Sequence, residues 1–144
     1  MLLYTSLLNQ DYSEALERLM YFNPGQHTMH NAIVKSVERF GQPRVVTING
    51  YLRITVDKLN DVQSLYALEN DRLVGILVYF RFTTEYLTVL HIAVDEDYSS
   101  RGKFSHKMLM MRMLDLLRKN SRRISGINAI QIMDSGNRTL EYHI

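Results

Sequence analysis

Two consecutive segments, residues 73–82 (LVGILVYFRF) and 86–94 (YLTVLHIAV), are apolar at both sets of alternating positions. In the first, Val74, Ile76, Val78 and Phe80 stand against Leu73, Leu77 and Tyr79. Side chains of a strand alternate between its two faces, so a strand that is apolar on both must be covered on both. The pair therefore belongs at the centre of a sheet with helices above and below, an α/β (α+β) arrangement. With 144 residues, 46% hydrophobic and 22% charged, the chain has ordinary globular usage and is long enough to bury a substantial core. A single domain over residues 1–144 is the economical expectation.

The rest of the chain supplies the layers. Residues 2–8 read as a first strand, and Asp11 or Ser13 can cap a helix carrying Ala15, Leu16, Leu19 and Met20 at helical spacing. Asn23-Pro24-Gly25 ends that unit. A second helix from about Thr28 places His30, Ile33, Val34, Val37 and Phe40 along one side before Gly41 and Pro43. From Arg44 the texture becomes β, and Asn49-Gly50 suits a type I′ hairpin or a bend in a first sheet strand. Residues 64–68 and 73–82 are joined across residues 69–72, and a turn at residues 83–85 leads into 86–94, so three antiparallel strands follow in succession. A helix over about residues 105–120 has Leu109, Met113, Leu116 and Leu117 on one face. Residues 124–132 then form a strand parallel to 86–94, if that helix is its crossover. The end of the chain reads either as a strand, 139–144, or as a short helix.

The segment from 86 to 109 runs from a buried strand through a polar turn directly into an amphipathic helix. A helix N-terminus presents unpaired N–H groups at the positive end of the helix dipole, so this build predicts an anion cradle formed by Ser99, Ser100, Arg101, Gly102, Lys103, Phe104 and Ser105. Gly102 could take a positive φ and admit a ligand close to the backbone, while Arg101 and Lys103 add charge. The same strand–turn–helix pattern also occurs in α/β domains that bind no phosphate.

The stretch IAVDEDYSSRGKFSHKM resembles the acetyl-coenzyme A binding motif of the GNAT superfamily of N-acetyltransferases. In that motif a hydrophobic strand ends in Val, a short acidic or prolyl step and a Tyr follow, and Arg/Gln-x-x-Gly-x-Gly/Ala opens a helix. Val94, Tyr98 and Gly102 fall on the Val, the Tyr and the first Gly; Ser99 stands where Arg or Gln is usual, and Phe104 where the second small residue is usual. The resemblance implies a mixed, mostly antiparallel central sheet with helices on both faces. It extends over most of the chain and runs out near the C-terminus, where family members continue through another helix and two strands.

By position, the resemblance implies that His91, Ile92, Ala93 and Val94 offer backbone groups to the pantetheine arm, and that the 99–105 loop holds the pyrophosphate. It implies direct acetyl transfer from acetyl-CoA to a primary amine of a small molecule, peptide or protein. His91 is a candidate base, although a lone strand histidine is more often a hydrogen-bonded core residue. Tyr142 is a candidate acid toward the leaving thiolate, or a packing residue, and Asn137 a coenzyme contact or a turn residue. The alternative is a catalytically degenerate GNAT-like domain that serves as a protein-binding module.

Other classes have less behind them. There is no cysteine, which excludes disulfides, thiolate zinc sites and a cysteine nucleophile. His27-x-x-His30 lacks a third ligand, so no metal is expected. A net charge of +2 argues against a dedicated nucleic-acid partner. The basic run Arg118-Lys119 with Arg122-Arg123 suits a helix C-terminus. The opening MLLYTSLL is short for a membrane span and has no basic leader, so a cytoplasmic protein without a membrane partner is expected. A homodimer remains open.

Overall fold

The computed structural model describes residues 1–21, 39–81, 83–124, 126–133 and 139–143. The expected second helix and the His27/His30 pair lie mostly or wholly outside these residues.

The central sheet has six strands in the order β1-β5-β6-β7-β8-β9: β1 (Leu2–Thr5), β5 (Gln63–Glu69), β6 (Arg72–Arg81), β7 (Tyr86–Val94), β8 (Ala129–Met133) and β9 (Thr139–His143). Every neighbouring pair is antiparallel except β7 and β8. The doubly apolar segments occupy the middle, as their pattern requires. On one face lies α1 (Ser13–Tyr21), together with a three-stranded sheet of β2 (Leu8–Asn9), β4 (Tyr51–Val56) and β3 (Pro43–Ile48). Leu16, Leu19, Met20, Phe40, Leu52 and Ile54 meet Ile76, Val78, Phe80 and Leu90 there. On the other face lies α2 (Leu109–Ser121), whose Leu109, Met113 and Leu117 cover Val74, Leu77, Val89 and Ile92. This is the expected α+β class, with a mostly antiparallel mixed sheet and helices on both faces.

Local chemistry accounts for the element ends. The Asn49-Gly50 hairpin forms between β3 and β4, with Ile48 opposite Tyr51 and φ of 52° and 84° at the turn. It belongs to the small sheet. Asn70 and Asp71, at φ of 52° and 62°, make a second tight turn, so β5 and β6 reach further into the connection than expected. The expected first strand is broken: Thr5 Oγ1 donates to the carbonyl of Leu7 at 3.0 Å and accepts from its N–H at 3.1 Å, separating β1 from β2. Asn9 caps the turn before α1, accepting from the N–H of Asp11 at 2.8 Å, rather than Asp11 or Ser13 acting as the cap.

Two boundaries on the C-terminal side are corrected. β8 starts at Ala129 and not near Ile124, because Gly126 at φ of 88° turns the chain first. The long helix starts at Leu109 and not at Ser105, because residues 105–107 form a 3-10 turn and Met108 is left-handed at φ of 49°. The last strand, β9, returns antiparallel to β8. α2 packs close to the sheet because β6 carries a glycine beneath it: a Cβ on Gly75 would lie 2.8 Å from Met113 Sδ. No helix among the described residues is long and apolar enough to cross a membrane.

Candidate functional site

β7 is paired along its whole length on one side and along only half of it on the other. Toward β6 the ladder runs from Arg81 opposite Leu87 to Gly75 opposite Val94. Toward β8 it runs only from Tyr86 opposite Ala129 to Val89 opposite Ile132. Residues 90–94 therefore have no β8 partner among the described residues. The change coincides with a bulge: Val78 faces His91 but Tyr79 faces Val89, leaving Leu90 as an extra residue. A bulge bends and further twists its strand, which carries β7 away from β8 at this point. Among the described residues, β7 beyond Val89 is therefore laddered on its β6 side alone. The side chains of Ile92, Ala93 and Val94 are buried and structural.

The segment that follows is closed. Asp95 opens it by accepting from the N–H of Asp97 at 3.0 Å. The N–H groups of Tyr98, Ser99, Gly102, Phe104 and Ser105 then donate to carbonyls within residues 95–102, at 2.7 to 3.2 Å. Ser99 Oγ donates to the carbonyl of Glu96 at 2.7 Å. Gly102 does not have a positive φ. It is required for another reason: a Cβ there would overlap the carbonyl of Asp97 and the carbonyl oxygen of Glu96. The expectation that Gly102 opens the backbone to a ligand is thus corrected, since the loop's own backbone fills the space. The N–H groups of Ser100, Arg101 and Lys103 take no part in these internal backbone bonds.

Phe104 is packed inward. Its ring lies 5.2 Å from that of buried Tyr98, and Lys107 Nζ sits 4.8 Å from its centroid. The ring plugs this side of the loop. Lys107 Nζ also donates to Glu69 Oε1 at 2.7 Å, and the Tyr98 hydroxyl donates to the same oxygen. Arg72 Nη2 approaches Asp95 Oδ1 at 2.7 Å and Asp97 Oδ2 at 3.7 Å, and Lys103 Nζ lies 3.9 Å from Asp97 Oδ2. The hydrogen bonds from Lys107 and Tyr98 hold the Glu69 carboxyl below the usual carboxylate range. Burial, and then the bond to Glu69, pushes the Tyr98 phenol up to about 12. Most cations of the loop are therefore engaged by carboxylates, while Arg101 is exposed.

His91 is 7% exposed, and burial lowers its pKa to about 4, so the imidazole is neutral at physiological pH. The register sets Tyr142 opposite Ile130, which lies opposite Leu87, so Tyr142 is two strands away from β7 and level with its paired half. Asn137 lies outside the described residues. The sequence reading missed Glu69, Arg72 and Lys107 as partners of the loop. No local signal marks them, because Glu69 stands 29 residues from Tyr98 and 38 from Lys107. At the far end of α2, Lys119 pairs with Asp115 at 3.3 Å, in keeping with a helix-end role for part of the basic run.

No protein-family model matches the sequence, and no curated protein matches it. Among solved structures, one similar chain is a protein assigned as a streptothricin acetyltransferase from Bacillus anthracis str. Ames, in complex with acetyl coenzyme A. It is 12% identical, with a TM-score of 0.41, and the match covers 92% of this chain and 74% of that one.

Proposed function

We infer that residues 1–144 form a GNAT-type domain that transfers the acetyl group of acetyl-coenzyme A to an amine of a small molecule, peptide or protein. The observation that carries this reading is the stretch 90–94 of β7, which lies beyond the β8 ladder among the described residues and immediately before the loop whose sequence resembles the family motif. This stretch supplies alternating N–H and C=O groups to the pantetheine amides. The N–H groups of Ser100, Arg101 and Lys103, with the Arg101 guanidinium, serve the pyrophosphate in place of Gly102.

Acetyl-coenzyme A supplies an activated acyl group as co-substrate. The amine nitrogen bonds to the thioester carbon, the C–S bond breaks, and the departing thiolate takes up a proton. The released ammonium proton must go to a base or to water. His91, neutral and on the same strand, serves as that base, and Tyr142 as the acid toward the thiolate.

A second reading has its own support. The internal hydrogen bonds of residues 95–105 and the Phe104 plug favour a degenerate domain that binds a protein partner and no coenzyme.

Thermal melting with coenzyme A and acetyl-coenzyme A separates the two. A ligand at a hundred times its Kd stabilises the folded state by about 2.7 kcal/mol. The enzyme reading expects such a shift, and no shift at millimolar ligand overturns it.

A further inference from the structure

Among the described residues the two sheets end in the edge strands β1, β9, β2 and β3, and β1 differs from the other three. Unpaired N–H and C=O groups on an edge recruit further strands, so natural edges carry charge or proline or stop early. The sequence of β9 includes Glu141, and β2 ends after two residues. β3 begins at Pro43, which has no N–H and whose carbonyl accepts from the Tyr21 hydroxyl at 2.7 Å, and Arg44 follows. β1 has neither charge nor proline, and no charged side chain occurs among residues 1–10. Along it Leu3 is 56% exposed and Met1 87%.

The strand register decides which groups of β1 face outward. Glu69 and Arg72 flank the two-residue turn at Asn70 and Asp71, so they bond to each other across it. Bonding direction alternates along β5, whose pairing with β1 is unbroken, so Leu68 and Tyr66 turn their N–H and C=O groups toward β1. There they meet Leu3 and Thr5. Leu2 and Tyr4 therefore point their own backbone groups away from the sheet, where no partner stands among the described residues. The side chains of Leu2 and Tyr4 pack against the α2-side core, so Leu3 lies on the α1 face at the rim, with Met1 on the same face.

We propose that β1 is an interface for a second copy of this chain, the two β1 strands pairing antiparallel across a two-fold axis at Leu3 and joining the two central sheets edge to edge. In this register Leu2 of each copy stands opposite Tyr4 of the other and exchanges two backbone hydrogen bonds with it. The two Leu3 side chains touch at the axis, flanked by Met1. The occupant follows from the chemistry of the strand. A two-fold contact sets one patch against itself, and an uncharged strand meets its own copy without like-charge repulsion. A strongly acidic or basic partner would find no opposite charge on these side chains.

Sedimentation equilibrium of the full chain tests this. The expected result is a monomer–dimer equilibrium, and Leu3→Lys should raise its dissociation constant at least about tenfold by setting two like charges at the axis. Because the chain has no cysteine, Leu3→Cys can form a disulfide only between copies. Opposed residues that share no hydrogen bonds in an antiparallel pair have Cα atoms about 4.5 Å apart, within disulfide range. Under oxidation Leu3→Cys should cross-link at least about tenfold faster than Leu7→Cys, because pairing raises the effective concentration at the axis alone. Leu7 is 63% exposed but lies beyond the strand, so it reports chance encounters. The cross-link decides the matter if Leu3→Lys does not fold. A wild-type chain that is monomeric at millimolar concentration, a dimer that Leu3→Lys leaves intact, or equal cross-linking at positions 3 and 7 overturns the proposal.

Discussion

The end of β7 past the β8 ladder and the closed loop after it are adjacent in sequence and opposite in construction. Residues 90–94 keep their side chains buried and, among the described residues, lie beyond the end of the β8 ladder. Residues 95–105 spend much of their backbone on one another and are tied down by the Tyr98 hydrogen bond to Glu69 and by the ion pairs of Asp95 and Asp97 with Arg72. The ladder to β8 ends where a bulge bends the strand; the loop is shut because its carbonyls lie where its amides point. Two stretches that both read as ligand-binding therefore differ in construction, and a ligand must find the outward-facing groups of the second.

The largest expected effect tests the closure. Gly102→Val would drive a side chain into the carbonyls of Asp97 and Glu96. It should destabilise the protein by about 3 kcal/mol, seen as a lowered midpoint in urea. Wild-type stability would show that the loop has room at this position. Such a variant is thus unsuited to probing coenzyme binding on an intact fold.

Comparable in size is the effect of acid on β7. An unfolded imidazole protonates near 6.5 and that of folded His91 at about 4, so the unfolded state binds more protons between these values. Stability should be full above pH 6.5, fall by about 3 kcal/mol as pH drops toward 4, and level off below as far as this group is concerned. His91→Gln should flatten that window in pH-dependent denaturation; an unchanged slope would mean that His91 is not held neutral. Glu69 adds loss in the same direction at lower pH, since its depressed carboxyl stabilises the fold above its unfolded value and ceases to once protonated.

Glu69→Gln bears on the loop alone. Removing the charge that Lys107 and Tyr98 share should speed amide exchange over residues 98–108 and leave the β6–β7 ladder protected. Equal acceleration in both would mean that the two regions open together. Smallest is Arg101→Glu: with its side chain exposed, it should leave the melting temperature alone and weaken coenzyme A binding about tenfold by calorimetry. Unaltered affinity would remove Arg101 from the phosphate contacts.

The parts of the fold legible in the sequence are those set by local pattern. Asn49-Gly50 gave the hairpin because few dipeptides accept two positive φ angles in succession, and the double apolar alternation of β6 and β7 placed them at the centre. The start of α2 was not legible. Ser105 looks like a helix cap, yet Phe104 turns in toward Tyr98 and Lys107 reaches Glu69. The chain then passes through left-handed Met108 before the helix begins. That residues 91–94 lie in a central strand was readable, while the face shared by Thr88 and His91 was not, because a bulge that nothing in the sequence marks decides it.

What the sequence determined by itself is the class of sheet, the two strands at its centre and the loop that follows them, since periodicity and turn chemistry act over a few residues. The tertiary structure alone decided that the β7–β8 ladder stops at Val89 among the described residues, that the loop is locked by a carboxylate from another strand, and that Thr88, His91 and Gln131 share one face of the sheet. Each depends on strand register or on contacts between residues distant in the chain, and these form only when the whole sheet assembles.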